Sequence, residues 1–244
     1  MLFRSRELLV AVAVAESAEV GGAAAAVHDV CRGLGERGVV ARATAFTAGE
    51  AGANVVRLAD EQEVDLILVD APPAVLEHHG LGALLAGAPC DVAVLVGRAG
   101  DFVPGPLLVP FAGAEHDWTA IELAAWIARS GNLPLRLTGP AGEREDASRL
   151  LANASIAVQR ALGVTAEPAL VPPGVDAIVR AAETASLVVV GLADSWRRDG
   201  LGVVRSALAA EARPPVLLVR RGLRPGGLAP PDSRTRFTWT IRPA

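Results

Sequence analysis

Short, continuous apolar runs alternate along this chain with longer stretches whose apolar residues recur every three to four positions. Residues 187–190, Leu-Val-Val-Val, form one run that ends on Gly191; residues 216–219, Val-Leu-Leu-Val, form another after Pro214-Pro215. A β-branched run bounded by turn residues predicts a strand buried on both faces, and two such strands joined by a helix make a right-handed parallel βαβ unit. The same pattern predicts strands at 8–14, 39–46, 66–69, 92–96, 107–111, 133–137 and within 164–171. Helical spacing fills 20–34, 54–63, 82–88, 115–129, 145–162 and 175–184, and an alanine-rich helical segment follows Gly200-Leu201-Gly202. Turns are expected at 49–52, 70–73 and 172–174, and a Gly- and Pro-rich boundary at 98–106.

The pattern runs twice. VDLILVD at 64–70 answers ASLVVVG at 185–191, and HGLGALLAGAPCDVAVLVGR at 79–98 answers DGLGVVRSALAAEARPPVLLVRR at 199–221. A shared Gly-Leu-Gly falls at Gly80–Gly82 and Gly200–Gly202, at nearly the same distance after its strand. Alternating strand and helix order predicts an α/β chain of two tandem doubly wound parallel-sheet domains. The first, residues 1–100, is shortened by about one helix–strand pair; the second is 101–221. Each copy would otherwise expose an edge strand, so the copies are expected to meet as an internal pseudo-dimer or through homodimer contacts. Residues 222–244 form a Gly- and Pro-rich arm in which RTRFTWTIR at 234–242 alternates as a strand, paired with an edge of its own sheet or a partner's edge.

Composition narrows the chemistry. With 244 residues, 51% of them hydrophobic, and a net charge of −4, there is ample core and no electrostatic case for nucleic acid. None of the 23 basic residues is lysine, which excludes a Walker A lysine, a kinase-type phosphate lysine and a Schiff base. Cys31 and Cys90 lack CxxC spacing and read as buried thiols in a reducing compartment. No apolar run approaches the ~20 residues that span a bilayer, and the N-terminus lacks a signal-peptide pattern, so a cytoplasmic location is expected. His28, His78, His79 and His116 have no metal-ligand spacing, and no GxSxG elbow appears. Glu115-His116-Asp117 opens a helix, where acidic side chains complement the positive end. Trp118 and Trp126 lie two turns apart on that helix as core or interface residues. Trp196 is either an exposed partner contact or a lid over a vacant pocket.

LLVPFAGAEHDWTAIELAAWIA at 107–128 resembles the opening of a universal stress protein domain, in which a strand ends in V-P-x-D-G-S-E before a helix rich in A-x-E-L-A. ASLVVVG…GLG…PPVLLVRR resembles the closing strand–helix–strand of the same fold. The whole arrangement, including a tail ending in R-F-T-W, is also similar to the soluble region after the membrane domain of some monovalent cation/proton antiporters. Nucleotide-binding members of the family use G-x2-G-x9-G-[ST] after the fourth strand, where backbone N–H groups and a helix N-terminus hold phosphates. By that resemblance the first glycine is Gly191, Asp194 takes the second glycine's place, Gly200 lies in the loop, Gly202 is the last glycine, and Val203 replaces the hydroxyl residue. The family's aspartate at the adenine-ribose end maps to Ala112, and its serine to Ala114. A carboxylate at 194 repels a triphosphate; Arg197 and Arg198 are either a compensating phosphate clamp or a solvated loop. The resemblance therefore implies a non-catalytic regulatory module with a degenerate nucleotide pocket and no cofactor, part of or partner to a membrane cation/proton antiporter. The alternative is an ATP or adenine-nucleotide sensor at Gly191, Arg197 and Gly202. An adenylate-processing enzyme would lack a general base or nucleophile.

Overall fold

The computed structural model describes residues 7–71, 80–97, 102–141 and 146–222. His78, His79, Pro72-Pro73, residues 98–101 of the 98–106 boundary segment and the alternating 234–242 stretch lie outside the described residues. The chain forms two compact units, residues 1–65 with 80–87 and residues 66–79 with 88–244.

In the smaller unit, β1 (Glu7–Val14) and β2 (Val40–Thr47) pair in parallel as a two-stranded sheet, Glu7 opposite Val40 and Val14 opposite Thr47. The crossover is α1 (Val20–Glu36), entered through a single 3₁₀ turn at Ser17–Glu19, and it packs on both strands. The second helix, α2 (Ala51–Glu61), packs against α3 (Leu81–Gly87). Gly52, expected in a turn, lies inside α2: its missing Cβ would come within 2.1 Å of the Gly80 carbonyl oxygen, so glycine is what lets helix and turn touch.

The larger unit is built on a seven-stranded sheet. Its strands are β3 (Leu66–Ala71), β4 (Asp91–Val96), β5 (Leu107–Pro110), β6 (Leu135–Pro140), β7 (Ala166–Val171), β8 (Leu187–Leu192) and β9 (Val216–Arg220), in spatial order β3-β4-β9-β8-β5-β6-β7. Neighbours run parallel except at β4–β9, which is antiparallel with Val94 opposite Leu218. Asp70 and Ala71 continue β3 instead of opening the expected turn, because both still pair with β4.

Helices α4 (Glu115–Gly131), α5 (Asp146–Leu162), α6 (Val175–Ala182), the short α7 (Trp196–Asp199) and α8 (Val203–Glu211) connect β5 through β9. On one face of the sheet, Val109, Leu137, Val189 and Leu217 pack with Ile121, Ala124 and Ala125 of α4 and Leu151, Ala154 and Val158 of α5. Leu108, Val188, Val190 and Leu218 alternate with them and are equally buried. Burial on both faces explains the unbroken apolar runs. Asn132 ends α4 in the left-handed conformation at φ 50°, a C-terminal position that tolerates asparagine.

Candidate functional site

Strand order reverses between β5 and β8, whose C-terminal ends therefore flank the crevice where doubly wound sheets take ligands. Three segments converge there: the β5–α4 turn, the end of β8, and the start of α8.

The turn is closed on itself. Asp117, in the first turn of α4 and 3% exposed, accepts hydrogen bonds at Oδ2 from the backbone N–H groups of Ala112 (3.0 Å) and Ala114 (3.1 Å). The positive end of α4 and the amides beside it are thus neutralised by a carboxylate of the same helix. Ala112 contributes its amide to this loop and offers no side-chain acceptor for a ribose.

Gly191 lies inside β8, and a Cβ there would stand 2.2 Å from the His116 carbonyl oxygen and 3.0 Å from the Asp117 nitrogen. This glycine admits the first turn of α4 against the strand. Gly200 and Gly202 have φ of 67° and 76°, conformations natural to glycine, and turn the chain from α7 into α8. Val203 is 76% exposed and brings no hydroxyl.

The side chain that spans the crevice is Arg205, in the first turn of α8. Its Nε donates to the Gly191 carbonyl, its Nη1 donates to the Leu201 carbonyl at 3.3 Å, and its Nη2 lies 2.6 Å from Nε2 of His116. Arginine only donates, so Nε2 of His116 accepts, and the imidazole is neutral with its proton on Nδ1. His116 Nε2 also stands 3.3 Å from Asp117 Oδ1. Burial holds the His116 pKa below its ordinary value, and Arg205 pushes the same way, while Asp117, Asp194 and Glu115 oppose them. Burial also lowers the Arg205 pKa, against the pull of Asp117.

The remaining loop residues turn elsewhere. Trp196, expected at the surface or as a lid, is only 9% exposed, which corrects its reading as an exposed partner contact: the indole is part of the packed body of the unit. Arg197 lies over its ring, 5.5 Å from the centroid, and Arg198 pairs with neighbouring Asp199 at 2.8 Å. Asp194 acts on the charges around it, favouring the protonated forms of His116 and Arg220. Arg220 donates to the Ala88 carbonyl at 3.2 Å, and Arg221 pairs with Glu115.

Gly191 and Ala112 are therefore gathered around the first turn of α4, and Gly202 leads into the helix that supplies Arg205. Arg197 and Arg198 engage Trp196 and Asp199. Reasoning from the sequence missed Arg205. One signal was available: it is the sole charged residue in the first turn of its helix, and a cation at a helix N-terminus is unfavourable unless acceptors outside the helix hold it.

No protein-family model and no curated protein matches the chain. Solved structures do. A universal stress protein from Archaeoglobus fulgidus DSM 4304 superposes with a TM-score of 0.65 at 13% identity, covering 90% of this chain and 100% of that one. The cytoplasmic domain of a prokaryotic cation chloride cotransporter superposes with a TM-score of 0.58 at 12% identity, covering 87% and 95%. At these identities the likeness shows the fold: an α/β, Rossmann-like arrangement of the universal stress protein type.

Proposed function

We propose that this chain is a non-catalytic regulatory module of two universal-stress-like copies, 1–100 and 101–221, followed by the 222–244 arm, whose nucleotide cradle is closed by its own side chains. One observation carries the reading: the Arg205 guanidinium holds the Gly191 and Leu201 carbonyls and His116, at the place where a phosphate chain would have to approach the loop. A resident cation with three partners competes with a ligand directly, because each displaced hydrogen bond to a buried acceptor must be replaced. Asp117 does the same from the other side by occupying the amides of Ala112 and Ala114. The degenerate pocket thus comprises Ala112, Gly191, Asp194, Gly200, Gly202 and Val203, with Arg197 drawn away onto Trp196.

The tandem reading is supported by the antiparallel pairing of β4 with β9, the strands that close the two sequence copies. A cytoplasmic role beside a membrane cation/proton transporter follows from the sequence resemblance, and the cotransporter domain of like fold is consistent with it. Among the described residues no helix is long and apolar enough to cross a membrane, so a membrane domain would lie outside them. The reading frame around the chain tests that association: a transporter encoded with it supports the proposal.

The closed cradle is tested by thermal unfolding with millimolar ATP at neutral pH. We expect no displacement of the midpoint. A ligand present at 100 times its dissociation constant adds about 2.7 kcal/mol, an increase of several degrees, and such an increase would favour the nucleotide-sensor alternative.

A further inference from the structure

The contact that closes the cradle is made to the titratable ring of His116. We propose that the Arg205–His116 contact is an acid-released latch: a proton taken up on Nε2 of His116 removes that acceptor for the Arg205 guanidinium and frees the start of α8 from α4. The proposal rests on the reading of the cradle as closed by Arg205.

The geometry permits two arrangements of one ring. With Nε2 unprotonated, it accepts from Arg205 Nη2 at 2.6 Å. With Nε2 protonated, two donors and two positive charges face each other at that distance, and the contact cannot persist. The new N–H has an acceptor waiting, because Asp117 Oδ1 lies 3.3 Å from the same nitrogen and Asp117 is buried and fixed by its bonds to Ala112 and Ala114. Acid therefore exchanges the partner of His116 from α8 to its own helix. Arg205 would keep only carbonyl acceptors at Gly191 and Leu201, beside a new cation.

The groups facing the ring come from every segment around it. On α4, Glu115 and Asp117 favour the proton; Asp194 in the β8–α7 segment favours it too; Arg205 on α8 opposes it. Glu115 is itself paired with Arg221 after β9, and Asp194 also faces Arg220. Burial, the largest influence, and Arg205 hold the ring neutral at pH 7, and the three carboxylates favour the proton that acid supplies. The segment that would be freed is small. It is held internally by the Gly200 and Gly202 turns and by the Ser206 amide bonded to the Gly202 carbonyl.

Hydrogen exchange and NMR on the full chain test the latch. His116 ring signals report its protonation, and amide exchange across residues 200–206, corrected for intrinsic rate, reports release. Between about pH 7.5 and about pH 5, we expect exchange there to accelerate about tenfold or more in step with the His116 titration, as in a local opening. His116→Gln, whose amide oxygen accepts without titrating, should hold the segment closed at both values. Arg205→Gln should leave it open at both. Unchanged exchange while His116 titrates would overturn the latch, as would acid opening that persists in His116→Gln or a ring that stays neutral until the protein unfolds. If a variant does not fold, the wild-type arm decides alone. Saturable ATP binding to the wild type at about pH 7.5 would overturn the closed-cradle reading instead, and leaves these exchange outcomes to be judged separately.

Discussion

Helices α1 and α4 are each 17 residues long and each follows the first strand of its half of the chain, yet only Val27 of α1 is buried while nine residues of α4 are. Both are rich in alanine, and although α1 carries four glycines to one in α4, propensity does not decide how many residues a helix buries. What differs is the surface each covers. The sheet under α1 has two strands; α4 lies on a seven-stranded sheet and also against α5. A helix gains most of its stability from the apolar face it packs, so the wider sheet makes the stronger helix. Only the second of these helices is placed to organise a site: its first turn supplies Asp117 and His116 and lies against Gly191.

The two regions should differ most under substitution at buried and exposed positions. Gly191→Ala would drive a methyl group into the His116 backbone carbonyl at 2.2 Å, where no side chain can turn aside. We expect a loss of about 3 kcal/mol or more, measured by denaturant unfolding. Next, Ile121→Ala in α4, at a side chain with no exposure, should cost about 2–5 kcal/mol. Val30→Ala in α1, half exposed, should stay within about 0.5 kcal/mol. If the two truncations cost the same, the contrast between the helices is wrong.

Smaller effects sharpen it. Gly33 in α1 has nothing within 4 Å of a built Cβ, so Gly33→Ala should stabilise by about 0.5–1 kcal/mol, the intrinsic helix preference alone. The pH dependence carries the opposite signature, confined to the site. The folded pKa of His116 lies below its ordinary value of 6.5, so between the two the unfolded chain binds more protons. Stability is thus complete above about pH 6.5 and declines as the pH falls toward the folded value. His116→Gln should flatten that part of the profile, measured as unfolding free energy against pH.

The sequence made the strands legible because burial on both faces writes them as unbroken apolar runs; β8 and β9 are read directly from Leu187–Val190 and Val216–Val219. It placed Gly52 in a turn and ended the strand on Gly191, because a glycine inside an element that a neighbouring backbone approaches looks in sequence like a glycine that ends the element. The resemblance to a glycine phosphate loop pointed to the end of β8. It did not reveal what fills it, because the contacts of Arg205 join residues 14 and 89 positions away and leave no local pattern. For Trp196 two readings stood, an exposed contact and a packed lid, for a related reason: a tryptophan in a polar stretch, Asp194-Ser195-Trp196-Arg197-Arg198, gives no sign of which way its ring turns, and its burial removes the first.

Arg205 is the group that holds the cradle shut at neutral pH. The Nε–H of Arg205, donated to the Gly191 carbonyl, should give a slowly exchanging NMR signal, assignable by its loss in Arg205→Gln. Its position should not change as millimolar ATP is added. A signal that shifts saturably with ATP, or an Nε–H that exchanges as freely as an exposed arginine's, would contradict it.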